Sequence, residues 1–347
     1  MESPISGAQP IAASRSLPRA LAFWYLNARP KSLPQSLLPA LLAVCFAART
    51  EGFSMTLALL AALGVACGHL AANLFDDYFD YLNRKTDYRD HLRHEGFRAR
   101  IGKCLYLTSG QATLLQLRRV ALGLALFALF LGGVIFHFRG MAILGFAGAA
   151  AILSLFYSGP PLRLSYRGLG EIVIGILFGP MNMLGVYYAA SGEFSAPLAL
   201  LSLPVGLLVM NIVYVHSIMD FAPDKKVGKQ TLAVLLDNTT AMLAVLFFIL
   251  FFPYAVIVYG IWHGDLPAAY WVWMLTLPMA AALFHMMLAY IRQPERKFSR
   301  RFWMGPMSAW RRVEALGIDW FLIRWFLARN LLAALCLISM IVSFIAP

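Results

Sequence analysis

Two groups of carboxylates stand where a chain this apolar tolerates them least. The first, in Asn73-Leu74-Phe75-Asp76-Asp77-Tyr78-Phe79-Asp80, puts Asn73, Asp76, Asp77 and Asp80 at i, i+3, i+4 and i+7, one face of a helix. The second puts His216, Asp220 and Asp224 at i, i+4 and i+8, again on one face. An acid near hydrocarbon costs on the order of 2.5–3.5 kcal/mol, and clustering like charges adds to this unless something positive sits among them. Each group therefore calls for a counter-charge. Salt bridges to Arg84, Lys85, Lys225 and Lys229, which follow the two runs, would supply one without any chemistry. The other source is a hard divalent cation. Mg²⁺ takes one or two carboxylates and completes its shell with phosphate oxygens, and flanking Lys and Arg suit the remaining phosphate charge. The chemistry indicated is a metal-bridged diphosphate at a membrane mouth. No Gly-rich phosphate loop is present, which disfavours a nucleotide kinase or ATPase.

The elements that must position these acids are membrane helices. Of 347 residues, 60% are hydrophobic and 13% charged, with mean hydropathy +0.69, whereas soluble domains carry roughly 25% charged residues. That excludes an ordinary soluble enzyme, and the continuous apolar runs exclude a β-barrel. Nine candidate spans are expected, at 33–49, 54–75, 119–137, 140–157, 169–190, 198–219, 239–261, 268–290 and 327–346. With residues 1–24 as a short cytoplasmic tail, all 29 Lys and Arg except Arg49 and Arg139 fall on the inside. The net charge of +12 is thus a topology signal, and no nucleic-acid partner is needed to explain it. Both acid-bearing spans run inward, so their acids end on the same side. Two long basic loops, 82–118 and 291–326, also lie inside. The second holds Trp303, Trp310, Trp320 and Trp325 among arginines and reads as an amphipathic interfacial segment, or else a partner or anionic-lipid site.

Other residues carry weaker signals. Cys45, Cys67, Cys104 and Cys336 form no C-x-x-C and read as packing residues. No cleavable signal peptide is expected. His69, one turn before Asn73, reads as a core or hydrogen-bonding residue, and Asp90, His91 and His94 as a solvated loop. Glu171 suits the positive end of a helix dipole.

At the acids and around them the chain resembles the UbiA superfamily of intramembrane prenyltransferases, and within it the 1,4-dihydroxy-2-naphthoate polyprenyltransferases. The resemblance rests on Ala28 to Pro34, on Asn73 to Asp80, on Tyr157-Ser158-Gly159-Pro160-Pro161-Leu162 continuing to Tyr166-Arg167-Gly168-Leu169-Gly170-Glu171, and on Asp220 to Asp224 followed by Gly228 to Val234. It covers about residues 25–290. Asp76 stands where Asn is common, Asp87 is displaced by one residue, and His216-Ser217 and Met219 replace residues usual before Asp220.

The resemblance implies an all-α polytopic membrane protein, one domain over 25–347, with about nine transmembrane helices in a UbiA-like bundle around a central cavity. It implies Mg²⁺-dependent transfer of a polyprenyl group from an allylic diphosphate to an aromatic acceptor. Asn73, Asp76, Asp77, Asp80, Asp220 and Asp224 would hold the metal. Arg84, Lys225 and Lys229, with Arg163, would neutralise the diphosphate, and Tyr157 would face the allylic cation, unless it is an interface aromatic. His216, Arg29 and Lys31 are candidates for the acceptor's acid group, though Arg29 and Lys31 also suit simple topology charges. The expected location is a bacterial inner membrane with a cytoplasmic mouth, and the oligomeric state stays open. The alternatives are another acceptor, such as 4-hydroxybenzoate, homogentisate or a porphyrin-type ring, and a cation-coupled transporter, which would place its acids near mid-bilayer.

Overall fold

The structure, a computed structural model, describes residues 16–83, 104–226, 228–294 and 296–346. Arg84, Lys85, Asp87, Asp90, His91 and His94 lie outside the described residues. The described chain is helical throughout: α1 (Leu17–Asn27), α2 (Pro34–Ala47), α3 (Met55–Leu82), α4 (Leu114–Arg139), α5 (Met141–Ser158), α6 (Gly170–Ser191), α7 (Ala196–Met219), α8 (Thr239–His263), α9 (Ala268–Arg292) and α10 (Asp319–Ile345). The nine expected spans correspond to α2–α10. Eight of these are long and apolar enough to cross a bilayer. The exception, α2, has 14 residues, about 21 Å at 1.5 Å per residue, short of a 30 Å core. It packs one face against other helices, with Ala40, Leu42, Ala43 and Ala47 fully buried.

Start signals match local chemistry. Ser54, Ser195 and Asn238 accept a first-turn backbone N–H at α3, α7 and α8, and Thr113 and Gln116 form a reciprocal capping box at α4. Gly140 alone joins α4 to α5, with φ +76°. Only a residue without Cβ enters that region freely, and Phe138 and Arg139, which fall between the expected spans 119–137 and 140–157, are helical.

Two departures from the expected boundaries concern function. Residues 17–24, expected in a tail, belong to α1. The last span begins at Asp319 and not 327, so Trp320 and Trp325 are transmembrane-helix residues, not part of an interfacial loop. The expected amphipathic segment is reduced to a turn at Phe302–Met304 and a six-residue helix at Trp310–Ala315.

The alternation of helix direction can be checked at the end away from the acids. Arg49 donates to Ser343 O (2.7 Å), and Arg139 donates to Ala189 O (3.0 Å), Ala190 O (2.7 Å) and Gly52 O (2.8 Å). The two arginines set apart by the charge count thus lie at one end of the bundle, each satisfied by backbone carbonyls at helix ends or in the α2–α3 loop. Toward the acid end, α6 and α7 approach through glycine. A Cβ built on Gly179 would lie 2.4 Å from Gly206 Cα, so α6 can seat Glu171 directly against Ser217 of α7.

Candidate functional site

The acids of α3 are held from the side by residues far away in sequence. Arg29 sits between α1 and α2 in the left-handed region, φ +61°. Its Nη2 donates to Asn73 O at 2.6 Å and lies 3.4 Å from Asp76 Oδ2 and 3.2 Å from Asp77 Oδ1. Asn73 answers by donating from Nδ2 to Ala28 O and Ser32 Oγ, both at 3.0 Å. A backbone carbonyl only accepts, so this bond fixes the amide and leaves Asn73 Oδ1 as the atom able to act as a ligand. His69, one turn earlier, is bracketed by Ser32 Oγ (3.1 Å) and Ser36 Oγ (2.7 Å), as its expected hydrogen-bonding role requires.

Each α3 carboxylate also accepts a hydroxyl. Ser158 Oγ donates to Asp76 Oδ1 at 2.8 Å, Tyr106 OH donates to Asp77 Oδ2 at 3.1 Å, and Tyr166 OH donates to Asp80 Oδ1. Asp77 and Asp80 are buried and Asp76 nearly so. Burial pulls the Arg29 guanidinium down, but Asp77 and Asp76 outweigh it and hold it above the ordinary arginine value. Burial, then the charge of Asp77, pushes the Tyr106 hydroxyl up; burial, then Asp80 and Asp76, does the same to Tyr166. Both phenols therefore stay protonated donors.

The second acid group continues the axis of α7. Asp220 caps α7, and the turn Phe221–Lys226 extends it, with Asp224 N donating to Asp220 O at 2.8 Å. The following segment is latched to the α5–α6 loop by Gly168 N to Gln230 O (2.7 Å). Glu171 accepts from Ser217 Oγ and from Leu232 N (3.2 Å). That makes Glu171 a buried tie between α6, α7 and the Asp224 segment, more than a dipole partner.

These ties bring the two groups face to face. Asp76, Asp220, Asp224, His216, Tyr157 and Lys229 line one narrow cleft of about 30 Å³. It adjoins a cavity of about 1100 Å³ whose wall includes Arg29, Lys31, Asn73, Asp76, Asp77, Tyr157 and His216. Asp76, Tyr157 and His216 belong to both. Asp80, expected among the ligands, borders neither and is turned against Tyr166. Among the described residues no three His, Cys, Asp or Glu side chains form a closed metal cage. Mg²⁺ does not ask for one. Carboxylate oxygens from two facing helices, with open space beside them for phosphate oxygens, are the donor set it prefers, so the residues present fit that ion.

Several expected binders are elsewhere. Lys225 lies at the surface, 2.7 Å from Asp237, because the turn after Asp224 points it away from the cleft. Arg163 is exposed and borders neither cavity. Arg84 is outside the described residues. Lys229 does reach the cleft, its ammonium 5.7 Å from the Tyr166 ring centroid. The sequence reading missed Tyr106, Tyr166 and Ser158 as partners of the acids, and the pairing of Arg29 with Asp76 and Asp77. It also missed an aromatic wall, Trp320, Phe321 and Trp325, on the large cavity. A signal for the wall was present: residues 320–329 read Trp-Phe-Leu-Ile-Arg-Trp-Phe-Leu-Ala-Arg, with an arginine about one helical turn after each tryptophan.

Residues 36–306 match the UbiA prenyltransferase family. The 1,4-dihydroxy-2-naphthoate octaprenyltransferase of Bacillus subtilis (strain 168) is 29% identical over 221 residues, 63% of this chain and 67% of that enzyme. Among solved structures, the fold is shared with a digeranylgeranylglyceryl phosphate synthase (TM-score 0.59, 16% identity, 92% of this chain and 98% of that one). It is shared also with a UbiA homolog from Archaeoglobus fulgidus bound to GPP and Mg²⁺ (TM-score 0.52, 16% identity, 89% and 99%). An all-helical membrane bundle, with two facing acid groups and a family match over most of its length, belongs to the UbiA prenyltransferase family.

Proposed function

We propose that this prenyltransferase moves a polyprenyl group from an allylic diphosphate to 1,4-dihydroxy-2-naphthoate, with Mg²⁺, from the inner face of a bacterial inner membrane. The observation that carries the reading is the facing of Asp76 with Asp220 and Asp224 across a cleft that opens on a large apolar cavity. The naphthoate acceptor is supported by the name of the Bacillus subtilis relative, and Mg²⁺ by the donor set.

Asp76, Asp77, Asp220 and Asp224, with Asn73 Oδ1, would hold Mg²⁺, which when bound neutralises the diphosphate and makes it a better leaving group. Asp80 adds negative charge one turn along α3. Arg29 and Lys229 face the same charge from the protein side, and in a water-poor site such fixed charges act more strongly than in solution. Lys31, at the cavity wall, adds to that positive rim. The allylic C–O bond breaks and pyrophosphate leaves. The electron-rich ring then forms the new C–C bond, and the ring carboxylate departs as CO₂. Tyr157, on both cavities, presents its π face to the allylic cation. The prenyl tail lies along α3, α4 and α5, where the cavity wall is mostly small and aliphatic. Because lipid is as apolar as that wall, binding energy resides mainly in the diphosphate.

The test is an acceptor screen in membranes with labelled octaprenyl diphosphate, with Mg²⁺ and with EDTA. Product from dihydroxynaphthoate alone, and only with metal, is the expected result. Turnover in EDTA would refute the metal assignment, product from another ring would refute the acceptor, and cation uptake into vesicles without pyrophosphate release would favour a transporter.

A further inference from the structure

The large cavity has two unlike sides. On α3 and α4 it is bordered by residues such as Gly64, Gly68 and Ala125, whereas α10 presents Trp320, Phe321 and Trp325. His216 of α7 lies against this aromatic side, its ring 4.9 Å from Phe321 and 5.8 Å from Trp325. His216 stands one turn before Asp220, about 6 Å along the helix axis. The aromatic wall is thus one turn deeper than the carboxylates, at the level where the reacting carbon of a diphosphate held by them would lie.

Each tryptophan connects to a guanidinium, Trp325 directly and Trp320 through Tyr290. Arg329 lies 4.6 Å from the Trp325 ring centroid. Arg324, fully buried, lies 5.3 Å from the Tyr290 ring, and Tyr290 stacks on Trp320 at 5.6 Å with the planes 7° apart. Arg324 also donates from Nε to Met286 O (3.1 Å) and from Nη1 to Trp320 O, and Tyr290 OH donates to Met219 O (2.9 Å), the residue before Asp220. Arginine in a membrane helix is expensive. Here two of them lock flat rings in place through cation–π contact, and one of those rings is tied to the acid-bearing turn.

We propose that Trp320, Phe321 and Trp325, with His216, form the surface against which the aromatic acceptor stacks, and that its breadth selects a fused bicyclic ring over a single ring. The proposal rests on the prenyltransfer reading above. Flat faces stack on flat faces, whereas a branched chain packs best against the small residues opposite. The wall lies on the last helix of the bundle, beyond residue 306, where the family match ends.

The experiment compares wild type with Trp325→Leu, Trp325→Phe and Trp320→Leu in membranes. KM for dihydroxynaphthoate is measured at saturating octaprenyl diphosphate, and the reverse. Trp325→Leu is expected to raise the acceptor KM about three- to tenfold, with the octaprenyl diphosphate KM unchanged and Trp325→Phe intermediate. Competitive inhibition by 1-hydroxy-2-naphthoate and by 2-hydroxybenzoate gives a ratio that does not depend on how much protein is folded, and this preference for the bicycle should shrink in all three variants. A rise in the diphosphate KM instead would assign the wall to the prenyl tail and overturn the proposal. A fall in kcat with both KM values and the inhibitor ratio unchanged would make the wall merely structural, with the same consequence. Should another aromatic acid prove to be the acceptor, the naphthoate reading falls, and the same KM split measured with that ring still decides the wall.

Discussion

Replacing Arg29 by Met separates a topology charge from the counter-charge of the site. The guanidinium stands 3.2 Å from Asp77 and 3.4 Å from Asp76, longer than the roughly 2.7–2.9 Å of strong charge-assisted bonds. Its side chain is 32% exposed while that of Asp77 is 3% exposed. Breaking a fully buried pair costs about 3–5 kcal/mol and an exposed one about 0–1 kcal/mol, so this half-wet pair falls near 2 kcal/mol. If that stabilisation acts on the bound diphosphate as well, kcat/KM for the prenyl diphosphate drops about thirtyfold. The half-saturating Mg²⁺ concentration should not rise, because the variant removes a cation that competes for the same two carboxylates. Arg29→Lys should recover only part of the rate, since all three contacts come from the tip nitrogen Nη2, and the lysine ammonium ends about one bond short of it. Initial rates in membranes across an Mg²⁺ titration, with thermal unfolding of the purified protein alongside, decide the matter. Wild-type rates and stability in Arg29→Met would refute the assignment and return Arg29 to a topology role.

Asp220→Asn keeps the shape of the side chain and should reduce metal-dependent transfer by more than about a hundredfold with normal accumulation in membranes; a variant of near wild-type rate would remove Asp220 from the site. Gly179→Ala places a Cβ 2.4 Å from Gly206 Cα and 2.8 Å from both Gly206 N and Ser202 O. Backbone cannot yield there, so about 1–3 kcal/mol of stability is lost and the unfolding midpoint falls; an unchanged midpoint would contradict the close approach of α6 and α7. The raised Tyr106 hydroxyl gives a pH signature. Below about 10, the ordinary tyrosine value, folded and unfolded chains both hold the proton and the contribution is constant. Above it the unfolded chain loses the proton first, so stability falls as pH rises. Tyr106→Phe should flatten that alkaline decline, and parallel curves for variant and wild type would show that Tyr106 contributes nothing to it.

The spans were legible because hydrocarbon imposes the same demand on every residue of a helix, and the acids because i, i+4 spacing is a local property of the sequence. What answers those acids is not local. Arg29 lies 47 positions from the Asp76 it meets, and Ser158 lies 82 away, so no pattern on α3 reveals either. Composition suggested the nearest cations instead, and the structure turns one of them, Lys225, outward to Asp237. The error at the last helix has a sharper cause. A hydropathy reading charges Arg324, close to the start of the run, the cost of an isolated ion and so pushes the boundary past it to 327. Arg324 is not isolated: two carbonyls accept from its Nε and Nη1, and the faces of Tyr290 and Phe298 lie against its charge. Once those partners are counted, the helix extends to Asp319 and its tryptophans turn from membrane anchors into the lining of the cavity. An arginine one helical turn after a tryptophan therefore argues for a buried aromatic wall wherever a neighbouring helix can offer carbonyls and a ring, and for an interfacial belt only where it cannot.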